Sequence, residues 1–575
     1  MSARGELATA AHAWIAQDPD EETRAELTAL VTAAEGGDET AVAELADRFD
    51  GRLAFGTAGL RGAIAAGPNR MNRVLVAQAA RGLADFLLER AAPGEVPSVV
   101  VGYDGRKNSQ VFATDSAELL AGAGVRAILL PRLLPTPLVA FAVRHLGTSA
   151  GVMVTASHNP PNDNGYKVYL GDADEGSQII APVDSEIEAH ILRVAAAGPI
   201  SELPRSSEYE LAPESVFEAY VTQTAAVSWL PAAEIGAQPR VVYTALHGVG
   251  WETFSRVLGA AGYIEPDVVT AQIRPDARFP TVAFPNPEEP GALDLAYAAA
   301  CSGGAQLIIA NDPDADRLAI AVPDKGADSG FRRLTGNEVG ALLGWRAAEA
   351  HAAERSGQAS APNGMARPTL ACSVVSSPAL AAVARAYGLG FQETLTGFKW
   401  VSRVPGLIFG YEEALGYLVN PQTVRDKDGI SAAVALLALA SDLAVDGFTL
   451  DDQLDRFSEK FGHFGSAQIS LRVSDLTFIQ TVMSRLRAAP PTTIGGIDVA
   501  AIDDLAAGSG DLPPSDILRI RMDDGSRIMV RPSGTEPKLK VYIDVSSTSG
   551  RLEKRKKSVA LRLGALEAGM RELVS

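Results

Sequence analysis

Cysteine is nearly absent: 575 residues contain two, Cys301 and Cys372, too few for a disulfide framework or a thiolate metal site. Long apolar runs are missing as well, and no charge-free hydrophobic stretch reaches the roughly 18 residues that a membrane span needs. The start of the chain, with Arg4, Glu6 and an amphipathic segment over 7–15, lacks a signal-peptide core. A cytoplasmic protein without a membrane partner is expected. Positive charge is in deficit, with 51 Lys and Arg against 70 Asp and Glu and a net charge of −19. That argues against binding nucleic acid, which depends on neutralising backbone phosphates. A small phosphorylated ligand is still allowed, because screening over about 8–10 Å lets a local basic pocket override the global charge.

What the chain has in quantity is core and punctuation. Hydrophobic residues make up 47% and charged residues 21%, and 54 glycines and 34 prolines are spread along the chain. That balance supports large buried cores joined by many turns. At ~150 residues per domain, the length predicts about four domains.

The first fifty residues are acidic and helical in pattern. From Ser98 a cycle of strand-like and helical segments begins: 99–102, 111–123, 125–130, 138–146 and 151–155. It returns over 241–310 and again over 369–410, closed by a helical segment at 430–445. Alternating strands and helices imply mostly parallel sheets with right-handed crossovers. After Phe457 strand-like 468–473, 519–522, 527–530 and 539–545 surround helical 478–488 and 554–574. The expected fold class is therefore α/β, with three related domains of mixed, mostly parallel sheets and a C-terminal α+β domain. The expected limits are 1–205, 206–325, 326–455 and 456–575.

Each α/β cycle ends in a strand that runs into an unusual loop, where ligands of open α/β sheets bind. In Asp312-Pro313-Asp314-Ala315-Asp316, residues two apart on an extended segment share a face, so the three carboxylates converge. Two carboxylates ~4 Å apart repel by roughly 4 kcal/mol at an effective dielectric of about 20, so a cation is expected between them. Oxygen-only ligation favours magnesium or calcium. Arg317 and Pro323 stand where an EF-hand needs glycine and glutamate, which excludes that motif. A solvated acidic turn is the alternative, and the apolar segments on both sides argue against it.

Ser157 follows the strand-like 152–155 on a turn rich in Asn and Pro, and is expected to be an exposed loop hydroxyl. Thr155 and Asn159 stand where a hydrolase elbow needs glycines. His158 is adjacent, but neighbours on an extended segment point apart, so no Ser–His couple is expected. Alone, this loop reads equally as a turn serine bonded to local backbone. Arg531-Pro532-Ser533-Gly534-Thr535 offers a guanidinium fork, two hydroxyls and glycine-exposed amides, a phosphate cradle or a surface hairpin. The glycine-rich 56–62 ends in Arg61-Gly62 but lacks the lysine and spacing of a P-loop. Gly248-Val249-Gly250 is an ordinary strand–helix turn. Lys167 and Lys399 each follow a glycine-led aromatic near one of these loops.

Taken in order, these motifs resemble the α-D-phosphohexomutase superfamily over nearly the whole chain. The resemblance implies three related α/β domains and a fourth domain like the TATA-box-binding protein. It implies that Ser157 is phosphorylated in the active enzyme, and that Asp312, Asp314, Asp316 and a phosphoserine oxygen bind magnesium. Glu412 and Glu413 would hold sugar hydroxyls, and Arg531, Ser533, Gly534 and Thr535 the non-transferred phosphate. Arg61, His158, Lys167, Arg317 and Lys399 match basic positions of the active site, with Lys167 as general acid/base. The loops 56–62, 247–250 and Asp426-Lys427-Asp428-Gly429 are most similar to the phosphoglucomutase and phosphopentomutase branch. The implied activity is interconversion of sugar 1- and 6-phosphates, glucose first, through a sugar 1,6-bisphosphate that is also the activator. Mannose or pentose specificity, or a metal-dependent sugar-phosphate phosphatase, are the alternatives. The implied partner is a small phosphosugar, with the chain a monomer or homodimer.

Overall fold

A computed structural model describes residues 3–57, 59–228, 238–356, 366–473, 476–510, 512–533 and 538–575. By its contacts the chain forms two compact units. One comprises Met1–Ser228, Pro239–Arg333 and Asn420–Val434; the other comprises Leu334–Val419 and Ala435–Ser575.

The first unit opens with helices Ala3–Gln17, Glu21–Glu35 and Glu39–Phe49. Asp20 and Asp38 cap the second and third by accepting from backbone N–H groups one turn in. Trp14, Leu27, Val31 and Leu45 pack against Val74, Leu75 and Leu119, so the acidic arm shares a core with the first α/β cycle. Then comes a mixed sheet with Leu60–Ala63, Asp163–Leu170, Ala150–Val154, Ser98–Tyr103, Arg126–Leu129 and Glu210–Leu211 side by side. Ala150–Val154 and Ser98–Tyr103 are parallel and buried at every residue. That explains their continuous apolar sequence, since a parallel strand is covered on both faces. A second sheet orders Phe331–Arg333, Leu318–Pro323, Leu307–Asn311, Val241–Thr244 and Asp267–Val268.

The second unit carries a third sheet, Gly390–Thr394, Thr369–Ser373, Leu407–Glu412 and Gly416–Leu418, parallel except for its last strand. Its C-terminal sheet is antiparallel throughout, with Arg527–Pro532 between Leu518–Met522 and Lys538–Ser547. Strand alternation sorts this sheet's side chains. Ile528 and Val530 face the core shared with helices Leu476–Ala488 and Leu552–Val574, while Met529 packs with Tyr542, Val374 and Val375. In the last helix Val559, Leu566, Met570 and Val574 form one buried stripe. Each such side chain contributes roughly 1.5–3 kcal/mol by leaving water. No single helix among the described residues is long and apolar enough to cross a membrane.

Candidate active site

The chemistry-bearing loops of the first unit sit where parallel strands end. Ala150–Val154 delivers Thr155 and Ser157, and Leu307–Asn311 delivers the three aspartates. Ser157 is 2% exposed, not the exposed loop hydroxyl that its turn-like surroundings suggest. Its Oγ donates to Asp312 Oδ2 at 2.9 Å. Its backbone is left-handed, with φ of 51°, a region that a side chain with a Cβ occupies only when surroundings enforce it. That conformation also overturns the expectation that Ser157 and His158 diverge. The segment is not extended there, and His158 Nδ1 lies 3.2 Å from Ser157 Oγ. Burial, with Arg317 and Arg61 nearby, pushes the His158 imidazole well below its usual range, so it stays neutral.

Asp312, Asp314 and Asp316 are fully buried, with one oxygen from each within 4.8 Å of the others. They converge on a turn through Ala315, whose φ is 54°, and not along an extended segment. Lys167 Nζ donates to Asp314 at 2.8 Å and Asp316 at 3.0 Å. Lys427 Nζ reaches Asp316 at 2.8 Å, and Thr136 Oγ1 reaches Asp314 at 2.6 Å. Burial and the two neighbouring aspartates push the Asp312 carboxyl well above the carboxylate range. Burial acts the same way on Asp314 and Asp316, but the bonded ammonium groups outweigh it and hold both below.

The carboxylates of Asp314 and Asp316 thus face the two ammonium groups, with the Asp312 carboxyl beside them. The Oδ1 atoms of Asp314 and Asp316 are buried and accept no hydrogen bond. Buried oxygen atoms left so, beside other oxygen donors, fit a hard divalent cation.

Register places the other basic groups. Arg61 pairs with Gly165 across the strands Leu60–Ala63 and Asp163–Leu170, and Lys167 pairs with Met153 beside the serine loop. Gly59 makes that crossing possible, because a Cβ there would lie 1.8 Å from the Tyr166 carbonyl oxygen. Arg61 Nη1 donates to Asn159 Oδ1 at 3.3 Å. The Arg317 backbone N–H donates to Asp312 Oδ1 at 3.0 Å, and its guanidinium lies 3.8 Å from Asp316. Ser157, His158, Arg61, Lys167, Arg317 and the three aspartates are therefore one cluster.

In the second unit Glu412 ends the strand Leu407–Glu412 and accepts from the Gly397 N–H at 2.7 Å, next to Lys399. Glu413 Oε2 accepts from Ser373 at 3.1 Å and Ser376 at 2.9 Å. Arg531 and Ser533 are half-buried at the Arg527–Pro532 hairpin, where Ser533 N–H donates to Lys538 O at 2.7 Å. Gly534 and Thr535 lie outside the described residues.

Sequence reasoning left two of these partners without a role: Thr136 and Lys427. The last had a signal, since Asp426-Lys427-Asp428 places a lysine between two acids. Tyr169 holds Asp426 at 3.1 Å and Tyr220 holds Asp428 at 2.9 Å, which seats Lys427 on the aspartate loop. The turn after Thr244 is also less ordinary than its glycines suggest. Leu246 and His247 are left-handed, and a Cβ on Gly248 would lie 2.2 Å from Pro313 Cα, so this turn braces the aspartate loop.

Family models described as phosphoglucomutase/phosphomannomutase domains match in sequence order. Alpha/beta/alpha domains I, II and III cover residues 52–197, 218–326 and 335–461, and the C-terminal domain covers 484–562. The chain belongs to the phosphoglucomutase/phosphomannomutase family. Members of this family are isomerases that interconvert sugar phosphates. A probable phosphomannomutase of Haemophilus influenzae is 53% identical over 82% of this chain and 93% of its own. A phosphopentomutase of Mus musculus is 34% identical over 99% of this chain and 94% of its own. The solved structure of a putative phosphomannomutase from Thermus thermophilus shares the fold, with a TM-score of 0.65 and 23% identity over 91% of this chain and 99% of its own.

Proposed function

We propose that this enzyme interconverts the 1-phosphate and 6-phosphate of a hexose, glucose or mannose, through a phosphoryl group carried on Ser157. The observation behind this reading is the hydrogen bond from Ser157 Oγ to Asp312, within a buried triad in which two carboxylate oxygens accept no hydrogen bond. Phosphoryl transfer asks chiefly for positioning and for charge to neutralise the phosphoryl oxygens. The cluster supplies both.

In the proposed cycle a hydroxyl of the sugar monophosphate attacks the phosphorus on Ser157. A P–O bond to the sugar forms and the P–O bond to Ser157 Oγ breaks. Lys167, an ammonium bonded to Asp314 and Asp316, is the candidate acid/base: it gives a proton to the departing Ser157 Oγ and, as the amine so formed, takes up the proton of the attacking hydroxyl, so it ends protonated as it began. The sugar 1,6-bisphosphate then turns over and returns its other phosphoryl group by the reverse steps; added bisphosphate acts as activator by priming Ser157. Asp312, Asp314, Asp316 and a phosphoserine oxygen would hold magnesium, which when bound would supply charge neutralisation at the phosphoryl group. Neutral His158, Arg61 and Arg317 orient the phosphoryl oxygens. Lys399, Glu412 and Glu413 hold the sugar phosphate and its hydroxyls, and Arg531, Ser533, Gly534 and Thr535 grip the non-transferred phosphate. The protein is proposed to work in the cytoplasm as a monomer or homodimer.

Greater identity to the probable phosphomannomutase than to the phosphopentomutase supports a hexose. Glucose 1-phosphate, mannose 1-phosphate and ribose 1-phosphate are assayed side by side, with inorganic phosphate followed in parallel. Isomer formation without phosphate release supports the mutase reading. Phosphate release without isomer would replace it with a phosphatase, and a clear preference for the pentose would overturn the hexose assignment.

A further inference from the structure

Arg106 is buried in the first unit, with its side chain 1% exposed, and its hydrogen bonds go to one short stretch of backbone. Its Nη2 donates to the carbonyls of Ser157 and Asn159, both at 2.6 Å. Its Nη1 donates to those of Pro160 at 2.8 Å and Asp163 at 3.1 Å. Four carbonyl dipoles aimed at one point repel one another unless a cation sits at that point. The guanidinium is that cation, and its planar fork serves several acceptors at once, which a lysine cannot reproduce. Its other face lies 5.0 Å from the centre of the Phe279 ring. A Cβ on neighbouring Gly105 would lie 2.8 Å from Pro275 Cβ, so the Pro275–Phe279 segment closes over the clamp.

A second line of bonds reaches the same residue from the other side. Asp104 accepts from the Arg106 N–H at 3.0 Å and Ser109 Oγ at 2.6 Å on one oxygen, and from Thr155 Oγ1 at 2.7 Å on the other. With its own proton committed to Asp104, Thr155 Oγ1 accepts from the Ser157 N–H at 2.8 Å. Ser157 is thus held at both ends of its peptide frame, N–H through Thr155 and C=O by Arg106. Left-handed backbone at a residue with a Cβ persists only where its surroundings enforce it. That conformation turns Oγ toward Asp312.

We propose that Arg106, acting with Asp104 and Thr155, is the positioning group of the phosphoryl relay: it fixes Ser157 in the left-handed conformation that aims Oγ at the metal loop. The proposal rests on the relay reading of Ser157. A clamp on the backbone acts on the transfer step and leaves the grip on the sugar phosphate to other residues. Displacement of a reacting atom by about 1 Å can cost about a hundredfold in rate.

The test compares wild type with Thr155→Val, Thr155→Ser and Arg106→Lys. Single-turnover transfer of label from ³²P-labelled hexose bisphosphate onto Ser157 is followed together with steady-state kcat and KM for the sugar monophosphate. Thr155→Val and Arg106→Lys are expected to slow labelling and kcat at least tenfold with KM within about twofold, and Thr155→Ser to restore most of the rate. Thr155→Val keeps the volume of threonine, and Thr155→Ser keeps its hydroxyl at the loss of one buried methyl, so thermal melting of both variants controls for folding; should Arg106→Lys fail to fold, the Thr155 pair decides alone. Labelling by Thr155→Val within twofold of wild type overturns the clamp, as does equal impairment of Thr155→Ser or a KM that rises in step with the loss of kcat. Absence of label on wild-type Ser157 is a different result, since it removes the relay itself.

Discussion

The serine turn and the Arg531 hairpin are both loops at strand ends, and they are built on opposite plans. Around Ser157 the three aspartates are fully buried, and Lys167, Lys427 and Thr136 bond them directly. At the hairpin Arg531 and Ser533 are half-buried, and among the described residues Ser533 bonds Lys538 backbone to backbone. The difference matches what each loop is proposed to do. Charge that must be in place when a bond breaks is preorganised in a dry setting, where it costs no rearrangement at the moment of reaction. A grip on a phosphate that arrives, leaves and returns reversed is better served by side chains that reach solvent.

The largest effects should fall on the preorganised side. Ser157→Ala is expected to abolish isomerisation, measured with bisphosphate present, because no other group replaces the acceptor. Since Ser157 is buried and donates to Asp312, its loss should also cost about 1–3 kcal/mol in urea unfolding, more than an exposed hydroxyl would. Asp314→Asn should lose activity by a thousandfold or more. Magnesium at a hundred times its Kd should stabilise wild type by about 2.7 kcal/mol in thermal melting and leave this variant almost unmoved. Isomerase activity that survives verified metal removal would make the triad a structural feature.

How far the sequence anticipated this varies from loop to loop. The three α/β cycles were readable because buried parallel strands such as Ala150–Val154 and Leu307–Asn311 are unbroken apolar runs bounded by glycine, proline and asparagine. The aspartate cluster was readable from spacing, although the convergence comes from a left-handed Ala315 and not from an extended face. The Ser157–His158 contact was not readable, because the clamp that turns Ser157 lies about fifty residues away at Asp104 and Arg106. Lys427 was half legible: Asp426-Lys427-Asp428 marks a lysine between two acids, but its partner Asp316 stands 111 residues earlier, and no local pattern connects them.

A third effect concerns the segment that seats Lys427. Burial pushes the Asp428 carboxyl up to about 6 from 3.8, against the opposing pull of Ser431, Tyr220 and Ile430. The folded state therefore binds a proton there more tightly than the unfolded chain does. This contribution is fully present below 3.8 and is lost as pH rises through about 6. Two pKa units correspond to about 3 kcal/mol. Asp428→Asn keeps the shape without the titration, so its stability relative to wild type should rise by about that amount between pH 4 and pH 7. A difference that stays flat across this window in urea unfolding would mean that the segment is not sealed from water.

On the hairpin side the expected losses are smaller. Arg531→Ala should weaken retention of the bisphosphate by roughly ten- to a hundredfold, the worth of a charge-assisted bond of about 1.5–3 kcal/mol. Labelled bisphosphate should escape from phosphorylated enzyme before the second transfer, while the melting temperature stays close to wild type because Arg531 is half-buried. Escape and sugar-phosphate affinity both unchanged would move the phosphate grip to another loop.

Ser533→Ala is the mildest and sharpens the contrast most. The hydroxyl lies past the end of the strand Arg527–Pro532, and the residue's backbone bond to Lys538 survives the change. A neutral hydrogen bond contributes about 0.5–1.5 kcal/mol net, so KM should rise about two- to tenfold with kcat nearly constant. Uniform loss of ground-state and transition-state binding gives that pattern, in which affinity falls and turnover does not. Removing the Thr155 hydroxyl is expected to do the reverse, lowering kcat with KM held, although each substitution deletes one hydroxyl from a strand-end loop. Parallel KM and kcat changes in the two variants would erase the distinction between a preorganised transfer site and an adaptable grip.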